Sequence, residues 1–222
     1  MKIFEFYSDF QLGEGEIVKG YDEAMIEAEP MLFKAESDFA FAHGGPITRA
    51  FLEALLKSRF LNASTDVYID SRSHMLMKHW YPCIPGWHHD DVPRTAKDNQ
   101  PNYYDESYFA SHAMLLINSY VSPTEFVRGE FQMPEVEKGI VYQEWDKRVE
   151  MLLRTCLLDY ERQSAPNNQI VYFDARTFHQ GTPARGNGWR FFIRATKNSK
   201  VKAENKIRRN ANVYLPAPFA GW

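Results

Sequence analysis

A series of short apolar runs, separated by proline and glycine, limits what this chain can fold into more than any other feature. β-Branched and aromatic residues recur in five runs, at 66–71, 75–81, 113–120, 170–174 and 189–196. Each run has the length of a single strand, and the Pro and Gly residues between them mark turns. Several short strands divided by turns are typical of a β-sandwich or β-barrel. We therefore expect a mostly β fold.

Two segments carry helical rather than β periodicity. Pro46 follows Gly44-Gly45 and precedes apolar residues at helical spacing, which predicts a helix that begins at Pro46. A second apolar stripe predicts an amphipathic helix at about 144–162, inserted between strands and packed on the outside of the sheet. Its members are Trp145, Val149, Leu152, Leu153, Cys156, Leu157 and Tyr160.

The 222 residues suffice for one well-cored domain, and no linker divides them. We expect a single domain over 1–222, with an N-terminal strand and helix as support over about 1–65. The core would span about 66–200. A hydrophobic fraction of 44% with 25% charged residues is that of an ordinary globular protein.

Charge and cysteine content exclude several classes of function. The net charge of -3 gives no overall attraction to nucleic acid or to an anionic membrane. Cys83 and Cys156 lie far apart, so neither a disulfide framework nor a cysteine zinc site follows. The first residues turn acidic and predict no apolar leader, and the sequence contains no run of 18 consecutive apolar residues. We expect a cytoplasmic protein without a membrane span.

The first candidate site is the doubled pair His88-His89-Asp90-Asp91, which follows a Pro/Gly-rich turn. On extended backbone, residues i and i+2 point to the same side. Either His88 with Asp90 or His89 with Asp91 can thus offer an imidazole and a carboxylate to one metal ion. These are two of the three ligands of a 2-His-1-carboxylate site. The alternative is a polar turn that happens to be rich in His and Asp.

The second candidate site lies in the segment from His179 to Arg194. On the predicted strand, Arg190, Phe192 and Arg194 share one face, while Trp189, Phe191 and Ile193 share the other. If the second face packs in the core, the arginines point into a barrel interior, where burial requires an anionic partner. A ligand carboxylate would satisfy a guanidinium there. The alternative is an outward-facing strand with two solvated arginines.

Together these motifs resemble those of the 2-oxoglutarate/Fe(II)-dependent dioxygenases. The ordered set is His88-His89-Asp90, then His179, then Arg190 eleven residues later, and Arg194 four residues after that. It is similar to the taurine dioxygenase and phytanoyl-CoA hydroxylase branches, and the resemblance covers roughly residues 75–196. It implies a double-stranded β-helix, that is, a cupin-like jelly roll with flanking helices.

The resemblance also implies roles for single residues. His88, Asp90 and His179 would be the catalytic Fe(II) ligands, and Trp87 before His88 favours this register of the doubled pair. Arg190 would bind the distal carboxylate of 2-oxoglutarate, with Arg194 as a second anion-binding residue. Tyr81, Asn118 and Tyr120 are candidates for a further polar contact to that cosubstrate.

The implied reaction consumes O₂ and couples oxidative decarboxylation of 2-oxoglutarate to hydroxylation of a substrate. The sequence favours a small molecule as the substrate, and a nucleobase or a peptide stays open. The loop Val92–Phe109, with Arg94, Tyr103, Tyr104 and Tyr108, is either a substrate lid or a structural flap. Two other classes remain: a metal-dependent hydrolase that uses the His-Asp doublet, and a catalytically silent cupin-like binding protein.

Overall fold

Antiparallel strands make up most of the regular structure. A computed structural model describes residues 2–61, 66–105, 109–137, 139–155, 159–199 and 201–215. The strands are β1 (Ile3–Ser8), β2 (Phe10–Leu12), β3 (Met31–Phe33), β4 (Ala35–Glu36), β5 (Val67–Leu76), β6 (Ser111–Ile117), β7 (Thr124–Pro134), β8 (Glu161–Ser164), β9 (Val171–Asp174), β10 (His179–Gly181), β11 (Gly188–Lys197) and β12 (Lys206–Arg208).

Helices flank these strands. They are α1 (Glu23–Ala28), α2 (Ser37–His43), α3 (Pro46–Lys57) and α4 (Val141–Thr155), with one short 3₁₀ turn at Lys97–Asn99. Within the described ranges, no helix is both long and apolar enough to cross a membrane.

Two antiparallel sheets form the framework. The larger has the order β2-β9-β6-β11-β5-β4, and the smaller has the order β1-β7-β10 with β8 also paired to β7. His88 forms a bridge with His179 of β10, so the segment at residue 88 extends the smaller sheet. A two-stranded pair, β12 with β3, stands apart.

The strand order identifies the jelly roll. Eight segments follow each other along the chain: β5, the segment at His88, β6, β7, β8, β9, β10 and β11. In the larger sheet they lie in the order first, eighth, third and sixth, and in the smaller sheet second, seventh, fourth and fifth. The chain thus winds between two facing sheets, as in a double-stranded β-helix. The fold expected from the resemblance is confirmed.

The two faces of β11 have the environments that its alternation predicts. Phe191 and Ile193 are fully buried in the main hydrophobic core, beside apolar residues of α3 such as Phe51 and Leu55. Arg190, Phe192 and Arg194, on the opposite face, line an internal cavity. Helices α1, α2 and α3 therefore cover the outside of the larger sheet and leave its inner face free to build a site, whereas α4 packs against β1 and β7 of the smaller sheet.

Most of the predicted elements are found. The helix at Pro46 is α3, and the runs at 66–71, 113–120, 170–174 and 189–196 correspond to β5, β6, β9 and β11. The predicted strand at 75–81 is wrong, because β5 continues to Leu76 and the chain then turns. His79 in that turn has a left-handed backbone with φ of 74°. Strands β7 and β8 were not predicted.

The amphipathic helix predicted at about 144–162 is present with different bounds. α4 begins at Val141, Cys156 and Leu157 lie outside the described residues, and β8 occupies Glu161–Ser164. The end of the prediction is wrong because tertiary contacts draw this segment into the smaller sheet. Arg162 pairs with Glu125 of β7, and the Tyr160 hydroxyl donates to the carbonyl of Glu130 at 3.0 Å.

The N-terminus of α3 is capped from a distance by Glu29. Gly45 precedes the helix and has no side chain to cap it. The buried Glu29 carboxylate instead accepts hydrogen bonds from the backbone N–H groups of Gly45 (2.9 Å), Ile47 (3.1 Å) and Thr48 (2.9 Å). A carboxylate at this end also faces the positive pole of the helix dipole.

We expect Glu29→Ala to lower the free energy of unfolding by about 2–4 kcal/mol, because it leaves buried N–H groups without an acceptor. Glu29→Gln keeps one acceptor oxygen, so its free energy of unfolding should lie between those of the wild type and Glu29→Ala. Urea unfolding followed by circular dichroism measures both changes. Glu27→Ala, at an exposed position of α1, is the matched control and should change stability by less than about 0.5 kcal/mol. Equal losses in the two alanine variants would contradict the capping role.

Candidate functional site

The backbone of His88 pairs with that of His179. The His88 N–H donates to the His179 carbonyl at 3.0 Å, and the His179 N–H donates to the His88 carbonyl at 3.2 Å. This exchange brings two segments that are distant in sequence side by side, with the centroids of the two imidazole rings 4.7 Å apart. Asp90 follows two residues after His88 and lies on the same side.

Trp87 anchors the His88 segment to α4. The ring of Trp87 is fully buried, its backbone N–H donates to Asp146 at 2.8 Å, and its indole N–H donates to Glu150 at 2.7 Å. Gly86 before it has φ of 102°, a conformation that favours glycine. The turn at Gly86 and the anchored Trp87 therefore fix the backbone position of His88.

His88, Asp90 and His179 can converge on one metal ion. One potential ligand atom from each lies within 4.8 Å of the others, and no other group of three His, Cys, Asp or Glu residues meets this condition among the described residues. The His179 Nε2 lies 3.1 Å from Asp90 Oδ2, and the His88 Nε2 lies 4.0 Å from Asp90 Oδ1. Two imidazoles and one carboxylate are a ligand set typical of non-haem Fe(II) sites.

Hydrogen bonds orient both imidazoles for this role. Nδ1 of His88 lies 2.7 Å from the Gly86 carbonyl, and Nδ1 of His179 lies 3.0 Å from the Thr177 carbonyl. A carbonyl can only accept, so each Nδ1 donates, and the two Nε2 atoms are left as the potential metal ligands. Such outer hydrogen bonds are usual for histidines that bind metals.

The electrostatics of these residues also fit a cation site. Burial, together with the neighbouring His179, lowers the pKa of His88 to about 4, so this imidazole is neutral at pH 7. Burial acts to raise the pKa of Asp90, but the charge of Arg194 and the contact with His179 hold it well below its usual range. A neutral imidazole and an ionised carboxylate are the forms that bind metals.

The other members of the doubled pair have different partners. His89 is only 3% exposed, and its Nδ1 lies 2.8 Å from the Tyr103 hydroxyl. The centroid of its ring lies 3.9 Å from that of the Phe178 ring. Asp91, at φ of 57°, accepts hydrogen bonds from the Tyr68 hydroxyl (2.7 Å) and from Arg194 (3.2 Å). Neither residue belongs to the group around His179.

A cavity of about 370 Å³ opens between the two sheets next to these groups. Among the residues that line it are the five that the sequence singled out: His88, Asp90, His179, Arg190 and Arg194. The structure thus places the residues of both sequence motifs, the one at His88 and the one from His179 to Arg194, in the lining of a single cavity.

Arg190 is buried in the wall of this cavity, and no acidic side chain among the described residues pairs with it. It is 2% exposed, its Nε donates to the Ser122 carbonyl at 2.7 Å, and its Nη2 donates to the Thr124 hydroxyl at 3.0 Å. Burial lowers the pKa of Arg190 to about 10, which still leaves it charged at pH 7. These two neutral acceptors do not balance the charge, so the site is suited to an anion.

Arg194 differs from Arg190 because it already has acidic partners. Its Nη1 contacts Asp90 and its Nη2 lies 3.2 Å from Asp91. Burial acts to lower the pKa of Arg194, but the two carboxylates raise it overall. In the protein as described, Arg194 thus orients the carboxylate next to the histidines.

Thr124 is a cavity residue that the sequence did not reveal. It begins β7 and carries no motif, and only the pairing of the strands brings its hydroxyl to Arg190. The three polar candidates taken from the sequence do not line the cavity. Tyr81 pairs through its backbone with Tyr214, Asn118 donates to the Trp189 carbonyl, and Tyr120 is 61% exposed.

The loop at 92–109 contributes less to the cavity than its composition indicates. Of its four highlighted side chains, Arg94 lines the cavity. Tyr103 packs against Phe6 and Trp145, and Tyr104 is half exposed and bonded to Glu135, while Tyr108 lies outside the described residues. The Tyr103–Tyr104 part of the loop is therefore structural packing.

Comparison with known proteins gives a structural likeness without a sequence match. No protein-family model matches this chain, and no curated protein does. Among solved structures, HygX from Streptomyces hygroscopicus with iron bound is 11% identical, with a TM-score of 0.41, and the match covers 89% of this chain and 85% of that one. HygX with nickel and 2-oxoglutarate bound is 10% identical, with a TM-score of 0.41, and the match covers the same shares of the two chains. HygX with nickel, 2-oxoglutarate and hygromycin B bound is 9% identical, with a TM-score of 0.38, and the match again covers 89% of this chain and 85% of that one.

Proposed function

We propose that this protein is an Fe(II)- and 2-oxoglutarate-dependent oxygenase that hydroxylates a small molecule. The observation that carries the proposal is that one cavity contains both the His88–Asp90–His179 cluster and Arg190, which is buried and has no acidic partner among the described residues. The cluster fits a divalent cation, and Arg190 fits the carboxylate of a ligand that also reaches this cation.

The metal would be held by Nε2 of His88, Nε2 of His179 and an oxygen of Asp90. Three protein ligands of this kind leave coordination positions for a cosubstrate and O₂. When bound, Fe(II) with 2-oxoglutarate and O₂ supplies oxidative decarboxylation coupled to C–H hydroxylation. The chain's own residues orient these ligands, since carbonyls fix both imidazole tautomers and Arg194 keeps Asp90 ionised.

Arg190 and Thr124 would bind the distal carboxylate of 2-oxoglutarate. The Ser122 carbonyl and the Thr124 hydroxyl hold the guanidinium through Nε and Nη2, so its plane is fixed before a ligand arrives. The Thr124 hydroxyl also lines the cavity and can donate to the same carboxylate. A pre-oriented donor pair reduces the entropy lost on binding.

The size of the cavity supports a small-molecule substrate. A volume of about 370 Å³ lies in the lower part of the range for small-molecule pockets. Its lining combines apolar side chains, Met114, Phe173 and Phe192, with several charged groups. Such a cavity can exclude water from a reacting C–H bond while polar groups fix the ligand's orientation.

An anaerobic titration tests the proposal directly. Purified protein is mixed with Fe(II) and then with 2-oxoglutarate, and the metal-to-ligand absorption band is recorded before air is admitted and succinate is measured. The oxygenase predicts both the band and succinate formation. Stoichiometric metal without an effect of 2-oxoglutarate would indicate the hydrolase class, and no metal binding would indicate a binding protein.

We expect His88→Ala, Asp90→Ala and His179→Ala each to abolish stoichiometric Fe(II) binding, because two remaining ligands cannot complete the site. His89→Ala and Asp91→Asn are the matched controls one residue away, and both should retain the metal. Iron content after anaerobic gel filtration measures this, with circular dichroism to check folding. Retention of iron by His88→Ala and Asp90→Ala, with its loss in His179→Ala and in the two controls, would assign the site to the second pair. Retention of iron by His179→Ala would contradict the site itself.

We expect Arg190→Met to weaken 2-oxoglutarate binding by several hundredfold or more. Two charge-assisted hydrogen bonds in a desolvated site are worth roughly 3–5 kcal/mol on truncation, and ~1.4 kcal/mol is tenfold. Arg190→Lys keeps the charge but loses the planar guanidinium, so its affinity for 2-oxoglutarate should lie between those of the wild type and Arg190→Met. The absorption band as a function of 2-oxoglutarate concentration measures the affinity. Iron affinity is the internal control, and an unchanged 2-oxoglutarate dependence would remove this role from Arg190.

A further inference from the structure

The cavity holds more positive charge than one cosubstrate requires. The arginines that line it are Arg72, Arg94, Arg190, Arg194 and Arg208. Among the described residues, Asp90 is the one acidic side chain in its lining. A divalent metal would make the imbalance larger.

Four of these arginines have polar partners. Arg190 and Arg194 are bonded as described above, Arg208 donates to Asp70 at 2.7 Å and to the Leu32 carbonyl at 3.2 Å, and Arg94 approaches the Asn99 carbonyl at 3.5 Å. The side chain of Arg72 makes no hydrogen bond or ion pair with any residue that the structure describes. Its guanidinium carbon lies 5.7 Å from the centroid of the Phe192 ring.

The sheet register places Arg72 two residues along β5 from His74, the residue that is paired with Arg190. Arg72 on β5 is paired with Phe192 on β11, whereas Arg190 is paired with His74. Arg72 is half-buried, and the exposed residues Asn210 and Asn212 line the same cavity. Arg190, by contrast, is almost fully buried. Arg72 thus lies nearer the solvent-exposed part of the cavity.

The neighbours of Arg72 leave its charge uncompensated. Asp70, two residues earlier on the same face of β5, is already bonded to Arg208. Burial and the charges of Arg208 and Arg194 lower the pKa of Arg72, and the carboxylates of Asp70 and Asp90 offset this lowering only in part. His74, two residues later, is neutral, because burial and the charges of Arg190 and Arg72 lower its pKa to about 3. A partly desolvated arginine without an acid requires an external anion.

We propose that Arg72 binds an oxyanion group, a carboxylate or a phosphate, of the substrate. The side-chain amides of Asn210 and Asn212 can donate to the same group. The substrate would enter at the exposed side, place its anion on Arg72 and extend past Phe192 toward the His88–Asp90–His179 cluster. That the bound molecule is a substrate rests on the proposed function, whereas the anion site itself does not.

The test is calorimetric titration of the full chain, first free of metal and 2-oxoglutarate and then with saturating Ni(II) and 2-oxoglutarate. The probes are inorganic phosphate, acetate and acetamide, the last a neutral analogue of acetate. With Ni(II) and 2-oxoglutarate bound, we expect saturable 1:1 binding of at least one anion and none of acetamide. The protein free of 2-oxoglutarate should also bind that anion and has room for a second one at Arg190. The preferred anion distinguishes a phosphate substrate from a carboxylate one.

Variants assign that binding to a residue. Arg72→Met should lower the affinity for the anion at least tenfold, and Arg72→Lys should lower it less. Arg190→Met should leave anion binding at Arg72 unchanged. Arg185→Met, at an exposed arginine that does not line the cavity, is the matched control. Binding lost in Arg190→Met but not in Arg72→Met would place the anion at the proposed cosubstrate site and overturn the proposal. So would the absence of saturable anion binding.

The same titrations separate this inference from the proposed function. If 2-oxoglutarate fails to bind while an anion still binds through Arg72, the oxygenase proposal fails and the anion site stands. If 2-oxoglutarate binds through Arg190 and anion affinity is unchanged in Arg72→Met, the oxygenase proposal stands and Arg72 has no such role.

Discussion

The backbone pairing of His88 with His179 is the constraint on which the candidate site depends. It joins the second and seventh segments of the jelly roll, and a single bridge with both N–H···O bonds sets the separation of two imidazoles. The anchoring of Trp87 by Asp146 and Glu150 then ties one side of that bridge to α4. A helix outside the sheet thus determines the geometry of polar groups inside it.

Alternation along β11 determines what surrounds that pair. One face of the strand supplies Phe191 and Ile193 to the main core, so the other face must place Arg190 and Arg194 in the interior. The two arginines are stabilised in different ways. Arg194 is neutralised by Asp90 and Asp91, whereas Arg190 has only neutral acceptors among the described residues. This difference is why we assign an orienting role to Arg194 and propose anion binding for Arg190.

Local patterns in the sequence were sufficient for the features that depend on local backbone. The alternation of β11 and the apolar spacing after Pro46 predicted β11 and α3. The jelly roll followed from the resemblance of the motifs to a known family, since the strand pattern alone indicated only a sandwich or barrel. The i, i+2 rule could not separate His88/Asp90 from His89/Asp91, because it applies equally to both pairs. Only contacts from elsewhere in the chain, such as that of Tyr103 with His89, distinguish them. Thr124 and Arg72 carry no motif and join the site through strand pairing alone.

The wall of the cavity is built from two kinds of structure with different tolerance to change. Arg190, Thr124 and His179 lie on paired strands, so their positions follow from the hydrogen-bonded register. Asn210 and Asn212 lie instead on an irregular segment, which is attached where Tyr214 pairs with Tyr81 and where the Asn212 carbonyl meets His74. Loops accept substitution more readily than strands. In a site of this construction, the strand residues that would hold the proposed metal and cosubstrate are fixed by the sheet, whereas the residues near the mouth can change without disturbing them.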